Sequence, residues 1–366
     1  MESILHKLIK ELPSKENHGL IKRIFGHFYY VSAFDGSLEE LTPLTLPTRL
    51  QKQGTDCLVG DVVEFDAQNK VIKAVIQRKS QLLRPKVANV DRALIVVSTT
   101  QPQLEADYLD RLLCQATLSL PQKPIVCLTK IDLQHEPDWL SIYKDLGIEL
   151  VQISNPKGIG LDELKSKLLS YTSVLAGQSG VGKSSLLQSL FPTKEFKVGE
   201  VSQKINRGTH TTRHIEIFEG RFHEQSFYIL DAPGFSRLEA NFTPLELARS
   251  NGFPEIERKK EDCKFLDCLH LDEEGCAVQF CDSRKKSYRK IMEEAEKYEK
   301  SEQETNTKER RESNKTDAEM TLPKLRASQR AISRKRRKQD YNLKDELEND
   351  LEDDLGDDLE SDDEQN

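Results

Sequence analysis

A glycine-rich octapeptide, Gly-Gln-Ser-Gly-Val-Gly-Lys-Ser at residues 177–184, has the residue types and spacing of a phosphate-binding loop. Its glycines allow backbone N–H groups to close around a phosphate. Lys183 would bind oxygens of the β- and γ-phosphates, and Ser184 would offer its hydroxyl to Mg²⁺. An apolar run before the loop predicts a strand, and the run at 185–190 predicts a helix whose N-terminus faces the phosphates. The nucleotide-binding residues predicted here are Gly177, Gln178, Ser179, Gly180, Val181, Gly182, Lys183, Ser184 and Ser185.

A second motif, Thr129-Lys130-Ile131-Asp132, follows the apolar run 124–128 and resembles the guanine-reading Asn-Lys-x-Asp motif of GTPases. Threonine replaces the usual asparagine. The Asp132 carboxylate would accept two hydrogen bonds from N1 and N2 of guanine, which adenine cannot supply. Lys130 would lay its aliphatic stem over the base. Taken alone, these four residues also fit a common surface turn. Base recognition is favoured because the same chain contains a phosphate-binding loop.

Two further segments extend the nucleotide site. Ser154 and Asn155 end an apolar run at the position of a short loop whose backbone contacts the base in GTPases. Asp231-Ala232-Pro233-Gly234 follows a run that predicts a buried strand. This spacing would place the Asp231 carboxylate near Mg²⁺ and the Gly234 N–H near the γ-phosphate.

The loop 208–212, Gly-Thr-His-Thr-Thr, lies between these segments in the sequence. Thr212 is our candidate for completing Mg²⁺ coordination, with Thr211 as the alternative. His210 is our candidate for orienting the attacking water, because Phe235, which follows Gly234, cannot do so. The alternatives are a purely structural His210 and a catalytic group supplied by a partner. The candidate catalytic residues are therefore Lys183, His210 and Gly234.

A cluster of cysteines and one histidine follows, with the spacing C-x4-C-x-H-x5-C. Three thiolates and one imidazole suit tetrahedral Zn²⁺. The predicted ligands are Cys263, Cys268, His270 and Cys276, and Cys281 is a nearby competitor. We interpret Cys57, Cys114 and Cys127 as core residues, and a chain of this size without a secretory signal predicts no disulfide framework.

The motif order is the order of an ordinary GTPase after circular permutation, because the base motifs precede the phosphate-binding loop. Together with His-Thr-Thr at 210–212, Asp-Ala-Pro-Gly-Phe at 231–235 and the cysteine cluster, it resembles the bacterial small-ribosomal-subunit biogenesis GTPases over residues 20–295. The resemblance implies an N-terminal OB-fold, a permuted GTPase domain and a C-terminal zinc domain. It further implies GTP hydrolysis that the small ribosomal subunit stimulates during its late maturation.

The N-terminal region fits a small barrel, because short runs with alternating apolar residues occur at 21–34, 60–65 and 71–76. We interpret Phe28, Tyr29 and Tyr30 as core residues, with a base-stacking platform as the alternative. The candidate RNA contacts, each of which also fits an ordinary surface charge, are Arg49, Lys52, Arg78, Lys79 and Arg84.

Charge is unevenly distributed along the 366 residues, although the net charge is only −8. Residues 324–338 carry eight basic and no acidic side chains, and residues 342–366 carry thirteen acids and one lysine. The remainder is not basic overall, so RNA contact would depend on local patches. The tail is poor in aromatic residues and predicts disorder or a partly helical extension. The basic tract is a candidate for gripping rRNA, the acidic end for masking it, and both also fit a tail that only aids solubility.

We therefore expect a multidomain chain: an all-β OB barrel, a circularly permuted α/β P-loop GTPase domain, a small mainly helical zinc domain and a disordered charged tail. The expected boundaries are 1–20 for an N-terminal extension, 21–84 for an RNA-binding OB-fold, 85–242 for the GTPase domain, 243–296 for the zinc domain and 297–366 for the tail. The expected ligands are GTP, Mg²⁺ and one Zn²⁺.

The expected partners are the small ribosomal subunit and its rRNA, with no membrane association, and we expect a cytoplasmic monomer. A different class, a nucleotide-gated RNA-binding scaffold with negligible turnover, is the alternative because of Phe235. An ATP-using P-loop enzyme would require that Asp132 has no role.

Overall fold

The structure, a computed structural model, describes residues 3–38, 41–83, 85–133, 139–193, 215–232 and 242–318. The predicted site residues His210, Thr212 and Gly234 lie outside these ranges, as do Arg84 and both charged tracts of the tail. The chain divides into two compact units, residues 1–301 and 302–366. Every contact discussed below lies within the first unit.

Five strands near the N-terminus close into a barrel, with neighbours in the order 1-2-3-5-4 and the first strand pairing back to the fourth. This closure confirms the predicted barrel. Its interior is filled by alternating apolar side chains that include Ile21, Val31 and Phe65. The elements are helix α1 (Ile4–Glu11), strands β1 (His18–Phe25), β2 (Phe28–Ala33) and β3 (Thr42–Thr45), helix α2 (Thr48–Lys52), and strands β4 (Val62–Asp66) and β5 (Val71–Val75).

The interpretation of Phe28 as a core residue is wrong. Phe25 and Phe28 are register partners at the tip of the β1–β2 hairpin, and their side chains are 49% and 46% exposed. The hairpin tip extends beyond the barrel interior, so its aromatic rings have no core to enter. Tyr29 and Tyr30 are half-buried. Arg78, a candidate RNA contact, donates two hydrogen bonds to the carboxylate of the buried Asp61. This ion pair gives Arg78 a structural role in the barrel.

Helix α1 packs on the seam between the barrel and the rest of the first unit. Leu5 and Leu8 are buried in a cluster that also contains Val62 of the barrel and Tyr228. The Ile4 N–H donates to a carboxylate oxygen of the buried Asp91 at 2.8 Å. The N-terminal helix therefore contributes to the core and is not merely appended to it.

A short hairpin, β6 (Gln81–Leu83) and β7 (Lys86–Ala88), follows the barrel. The second sheet consists of β8 (Arg92–Ser98), β9 (Ile125–Thr129), β10 (Leu150–Gln152), β11 (Thr172–Ala176), β12 (Glu216–Phe222) and β13 (Gln225–Asp231). Its strands lie side by side in the order β10-β9-β8-β11-β13-β12. Neighbouring strands in this sheet are parallel, except that β12 is antiparallel to β13. Strand β12 also joins the barrel through one residue pair, Glu216 of β12 with Arg23 of β1. The apolar runs that precede the base motif, the phosphate-binding loop and Asp231 form β9, β11 and β13. The helices that connect these strands are α3 (Ala106–Ser119), α4 (Leu140–Asp145), α5 (Leu161–Leu168) and α6 (Lys183–Leu190).

The C-terminal part of the first unit is mainly helical, as predicted. A capping box between Thr243 and Glu246 starts its first helix. Phe253 and Tyr288 pack edge to face in its small core, which also includes Cys114 of α3. The helices are α7 (Pro244–Arg249), α8 (Pro254–Lys259), a short 3₁₀ turn (Lys260–Asp262) and α9 (Asp282–Ala318), which continues beyond the expected boundary at 297.

A buried charge network connects this helical part to the second sheet. Arg284 of α9 contacts Asp110 of α3 and makes two hydrogen bonds to Glu255 of α8, at 2.9 and 3.0 Å. Tyr143 donates to Asp110 as well, at 2.7 Å. Because Arg284 and Asp110 are nearly inaccessible to solvent, removing Arg284 would leave the buried Asp110 carboxylate without a cationic partner. The network therefore fixes α9 against α3.

Cys57, Cys114 and Cys127 are all buried among apolar side chains, which confirms their interpretation as core residues. No helix in the described ranges is long and apolar enough to cross a membrane.

Candidate functional site

The phosphate-binding loop connects the end of β11 to the start of α6, as the sequence predicts. Gly177 has φ 138° and Gly182 has φ 102°, which are conformations that favour glycine. A Cβ at Gly177 would also lie only 2.3 Å from the carbonyl oxygen of Val96 in β8. Glycine is therefore required at this position both for its backbone angles and for the close approach of the neighbouring strand.

Lys183 is the first residue of α6, and its side chain turns back over the loop. Its Nζ donates to the carbonyl oxygens of Gly177 and Gln178 at 2.8 and 2.6 Å. Burial lowers the pKa of Lys183, and the carboxylate of Asp231 acts in the opposite direction. The ammonium group thus lies within the concave side of the loop, where an anionic phosphate would be bound.

Asp231 ends β13, which runs parallel to β11 with Val174 opposite Leu230. This pairing brings the Asp231 carboxylate and the phosphate-binding loop to the same edge of the sheet. Burial raises the pKa of Asp231, and Lys183 opposes that rise. Ser184 follows Lys183 in the first turn of α6. A hydroxyl and a carboxylate are hard oxygen donors of the kind that Mg²⁺ prefers, so these residues fit the predicted ion.

The base motif lies against the phosphate-binding loop, although about 50 residues separate the two in the chain. Thr129 ends β9, is fully buried, and its hydroxyl lies 2.5 Å from the carbonyl oxygen of Val181 and 3.0 Å from that of Val97. Lys130 has a left-handed φ of 62°, and its Nζ donates to the carbonyl oxygen of Gly180 at 2.9 Å. Two consecutive side chains therefore tie the base motif to the loop.

Asp132 contacts the loop that follows β10 through the side chain of Ser154. The Ser154 hydroxyl donates to the Asp132 carboxylate at 2.6 Å, and this hydrogen bond lowers the pKa of Asp132. Ser154 is fully buried, and it exchanges two backbone hydrogen bonds with Ile159 that close the loop. Ile131 is part of the predicted base motif, but its side chain packs against the core. The backbone N–H of Ile131 donates to the carbonyl oxygen of Ile153.

The structure thus brings together most of the predicted nucleotide-site residues at the carboxyl edge of β9, β11 and β13. Val181 is buried in the core behind the loop, whereas Ser179 and Gly180 are exposed on it. His210, Thr212 and Gly234, as already stated, are not among the described residues.

One part of the site was missed by the sequence analysis. The loop after β8 contacts both motifs: the Thr99 hydroxyl donates to the carbonyl oxygen of Lys130 at 2.8 Å, and the Gln101 carbonyl oxygen accepts from the Lys130 ammonium. Pro102 lies beside Gly180. The signal that could have revealed it is positional, because β8 is a buried apolar run between two site-bearing strands and its carboxyl end must lie at the same edge.

The predicted zinc ligands also lie together. The ligand atoms of Cys263, Cys268, His270 and Cys276 are all within 4.8 Å of one another. Cys281 is exposed and is not part of this group. The set of three sulfur atoms and one nitrogen is that of structural zinc sites, so the residues present fit one Zn²⁺.

The surrounding contacts orient the ligands. His270 Nε2 donates to the carbonyl oxygen of Ala248 at 3.0 Å, which leaves Nδ1 facing the sulfur atoms of Cys263 and Cys276 at 3.8 and 3.6 Å. The Glu273 carboxylate accepts the N–H groups of Leu269 and Leu271, on either side of His270. Outer contacts of this kind fix the tautomer and the direction of a metal-binding imidazole.

Comparisons with known proteins agree with this geometry. A family model described as RsgA GTPase matches residues 75–241, and one described as 50S ribosome-binding GTPase matches residues 172–314. Proteins named small ribosomal subunit biogenesis GTPase RsgA are similar to the chain. The one from Caldanaerobacter subterraneus is 37% identical over 71% of this chain and 87% of its own length. The one from Alkaliphilus metalliredigens is 38% identical over 76% of this chain and 97% of its own length. The one from Bacillus subtilis is 35% identical over 74% of this chain and 92% of its own length.

Two solved structures share the fold. The crystal structure of YjeQ from Thermotoga maritima matches with a TM-score of 0.61 and 29% identity, over 76% of this chain and 98% of its own. YloQ, described as a circularly permuted GTPase, matches with a TM-score of 0.57 and 30% identity, over 76% and 94%.

Proposed function

The chain belongs to the RsgA GTPase family, and on this premise we propose that it is a GTPase that assists biogenesis of the small ribosomal subunit. The observation that carries the proposal is the contact of Thr129 and Lys130 with carbonyl oxygens of the phosphate-binding loop. These contacts join a base-reading motif to a phosphate-reading loop despite the reversed order of the motifs in the chain. Relatives named as GTPases favour a hydrolase over a scaffold with negligible turnover.

Guanine selection would depend on Asp132. Its carboxylate is held by Ser154, which stabilises the ionised form that must accept hydrogen bonds from N1 and N2 of the base. ATP would leave this carboxylate without those donors. The contacts of Asp132 therefore favour GTP over ATP as the nucleotide bound at the phosphate-binding loop.

Hydrolysis would use charge stabilisation at the phosphates. Lys183 would move from the carbonyl oxygens of its own loop to oxygens of the β- and γ-phosphates and stabilise the charge that develops between them. Ser184, Asp231 and Thr212 would hold Mg²⁺, which supplies further neutralisation of that charge when bound. Gly234 would donate its N–H to the γ-phosphate, and His210 would orient the attacking water.

Phe235 cannot orient water, which supports a dependence on a partner. We infer that the small ribosomal subunit stimulates turnover by completing the catalytic site at the γ-phosphate. The barrel of residues 21–84 would contact rRNA, and the zinc domain of residues 243–296 would present a surface held in shape by one Zn²⁺. We expect the protein to act as a monomer in the cytoplasm.

The test is the GTP hydrolysis rate of the purified protein alone, with isolated small subunits and with isolated large subunits. We expect stimulation of at least about tenfold by the small subunit and none by the large subunit. A slow rate that neither subunit changes would contradict subunit-stimulated turnover, and nucleotide-dependent subunit binding would then identify a scaffold.

A further inference from the structure

The side chain of Asn155 lies at the base end of the nucleotide site. The backbone carbonyl oxygen of Asn155 accepts the Gly158 N–H, and the Ser154–Ile159 backbone pair closes the same loop. A Cβ at Gly182 would lie 3.9 Å from Asn155 Nδ2 and 3.7 Å from Thr129 Oγ1. The carboxamide is therefore close to the point where the base motif meets the phosphate-binding loop.

One atom of this carboxamide lacks a hydrogen-bond partner in the part of the chain that the structure describes. Asn155 Oδ1 is buried, and it has no hydrogen-bond partner among the residues that the structure describes. A buried polar atom without a partner is unfavourable and needs an explanation, such as a ligand that supplies the missing contact. A half-turn about the Cβ–Cγ bond exchanges oxygen and nitrogen, which are similar in size, so the same position can offer either an acceptor or an N–H.

The neighbouring polar side chains of the base motif already make hydrogen bonds to backbone carbonyl oxygens. The Thr129 hydroxyl has one proton and two carbonyl oxygens within reach, those of Val97 and Val181. The Lys130 ammonium is bound to the carbonyl oxygens of Gly180 and Gln101. The Thr129 hydroxyl therefore cannot give a hydrogen bond to the base without breaking a contact that holds the site together, and the Lys130 ammonium has one N–H left beyond its two contacts.

Guanine presents acceptors on the edge that Asp132 does not read. Its N7 and O6 both accept hydrogen bonds, whereas N1 and N2 donate. Asp132 can take the two donors, and an N–H donor is then needed on the other edge. We propose that Asn155 donates its side-chain N–H to N7 of guanine and is a second specificity-determining residue; this inference rests on the proposed function.

The experiment measures dissociation constants of GDP and of 7-deaza-GDP, which carries C–H in place of N7, for the full-length protein and for Asn155→Ala. We expect the unaltered protein to bind 7-deaza-GDP about fivefold to tenfold more weakly than GDP. Asn155→Ala should bind GDP more weakly by the same factor and should no longer distinguish the two ligands.

Inosine diphosphate, which lacks the 2-amino group, is the internal control because it reports on Asp132. Asn155→Ala should still bind it more weakly than GDP. Lys157→Ala, an exposed side chain on the same loop, is the matched variant and should keep the preference for GDP over 7-deaza-GDP.

Two results would overturn the inference: equal affinity of the unaltered protein for GDP and 7-deaza-GDP, or an undiminished preference in Asn155→Ala. The first comparison needs no variant, so a poorly folded Asn155→Ala cannot leave the question open. Failure of the unaltered protein to bind any guanine nucleotide would instead contradict the proposed function, so the two failures are distinguishable.

Discussion

The zinc site and the nucleotide site are built in opposite ways. All four predicted zinc ligands come from one stretch, residues 263–276, and their ligand atoms lie within 4.8 Å of one another. The nucleotide site collects the ends of β9, β11 and β13 and is joined by side-chain contacts to backbone carbonyl oxygens, such as Thr129 with Val181. One site is local in sequence, and the other exists only once the sheet has formed.

This difference predicts different responses to damage. A metal site of four ligands loses most of its affinity when one ligand is lost, and the chain segment that it closes loses its shape. The nucleotide site rests on several independent contacts, so removal of one tether should weaken binding in proportion to that contact. The two sites should also fail separately, because their residues belong to different apolar clusters.

The largest effect is expected for Lys183→Ala. The ammonium group is a partly buried cation inside the phosphate-binding loop, and removal of one such group from a preorganised site typically costs about a hundredfold to a thousandfold in turnover. The measurement is GTP turnover at saturating small subunits, together with zinc content. Zinc content should stay at that of the unaltered protein.

Lys165→Ala is the control for Lys183→Ala, because Lys165 pairs with Asp162 on α5 outside the site. It should keep normal turnover. Full turnover in Lys183→Ala would show that the loop does not act on the phosphates.

The next effect is expected for Cys276→Ser, which removes one zinc ligand. Bound zinc should fall from one per chain to near zero, and the C-terminal domain should lose at least about 3 kcal/mol of stability. The measurements are metal content and the rate of proteolysis within residues 243–296. The affinity for GDP should change less than about threefold, because the nucleotide site does not share these residues.

Cys281→Ser is the matched control, since Cys281 is an exposed cysteine outside the ligand group. Its zinc content and proteolysis rate should be unchanged. Zinc loss in Cys281→Ser with retention in Cys276→Ser would reverse the ligand assignment, and a large loss of GDP affinity in Cys276→Ser would show that the two sites are not separate.

Asp132→Asn should change the base preference. An asparagine at this position can donate to the 2-carbonyl oxygen of xanthine, whereas guanine would present a donor to a donor. We expect GDP affinity to fall at least about a hundredfold and xanthosine diphosphate to become the better ligand. Competition binding with the two diphosphates measures the change, and an unaltered preference for GDP would mean that Asp132 does not read the base.

The difference between the two sites also explains which of their features could be predicted from the sequence. Cysteine and histidine spacing is a local signal, and the structure brings those four ligands together as predicted. The phosphate-binding loop is equally local, because Gly177 and Gly182 are required by backbone geometry that the sequence records directly.

Features that depend on long-range packing were missed or misinterpreted. The loop after β8 contacts the base motif partly through the Gln101 carbonyl oxygen, which every residue type carries, so no sequence pattern marks it. The burial of Leu5 and Leu8 depends on a groove that forms only when the barrel meets the second sheet. Phe28 has the composition of a core strand residue, but its position at a hairpin tip decides its exposure.

The smallest effect is expected for Thr129→Val, which replaces the hydroxyl by a methyl group of similar size. The buried carbonyl oxygen of Val181 would lose a donor, at a cost of about 1 kcal/mol in nucleotide affinity, or about fivefold in the dissociation constant of GDP. Thr129→Ser restores a hydroxyl and should recover most of the affinity. Equilibrium binding of GDP to the three proteins measures both changes.

Thr129→Val also separates two roles of the base motif. If Thr129 acts as a tether, the variant weakens GDP and inosine diphosphate by the same factor, because the loss concerns the position of the loop and not the reading of the base. Selective weakening of GDP would instead mean that the hydroxyl contacts the base, in competition with the role proposed for Asn155. An unchanged affinity for both would show that the contact of Lys130 with Gly180 is enough to hold the base motif against the phosphate-binding loop.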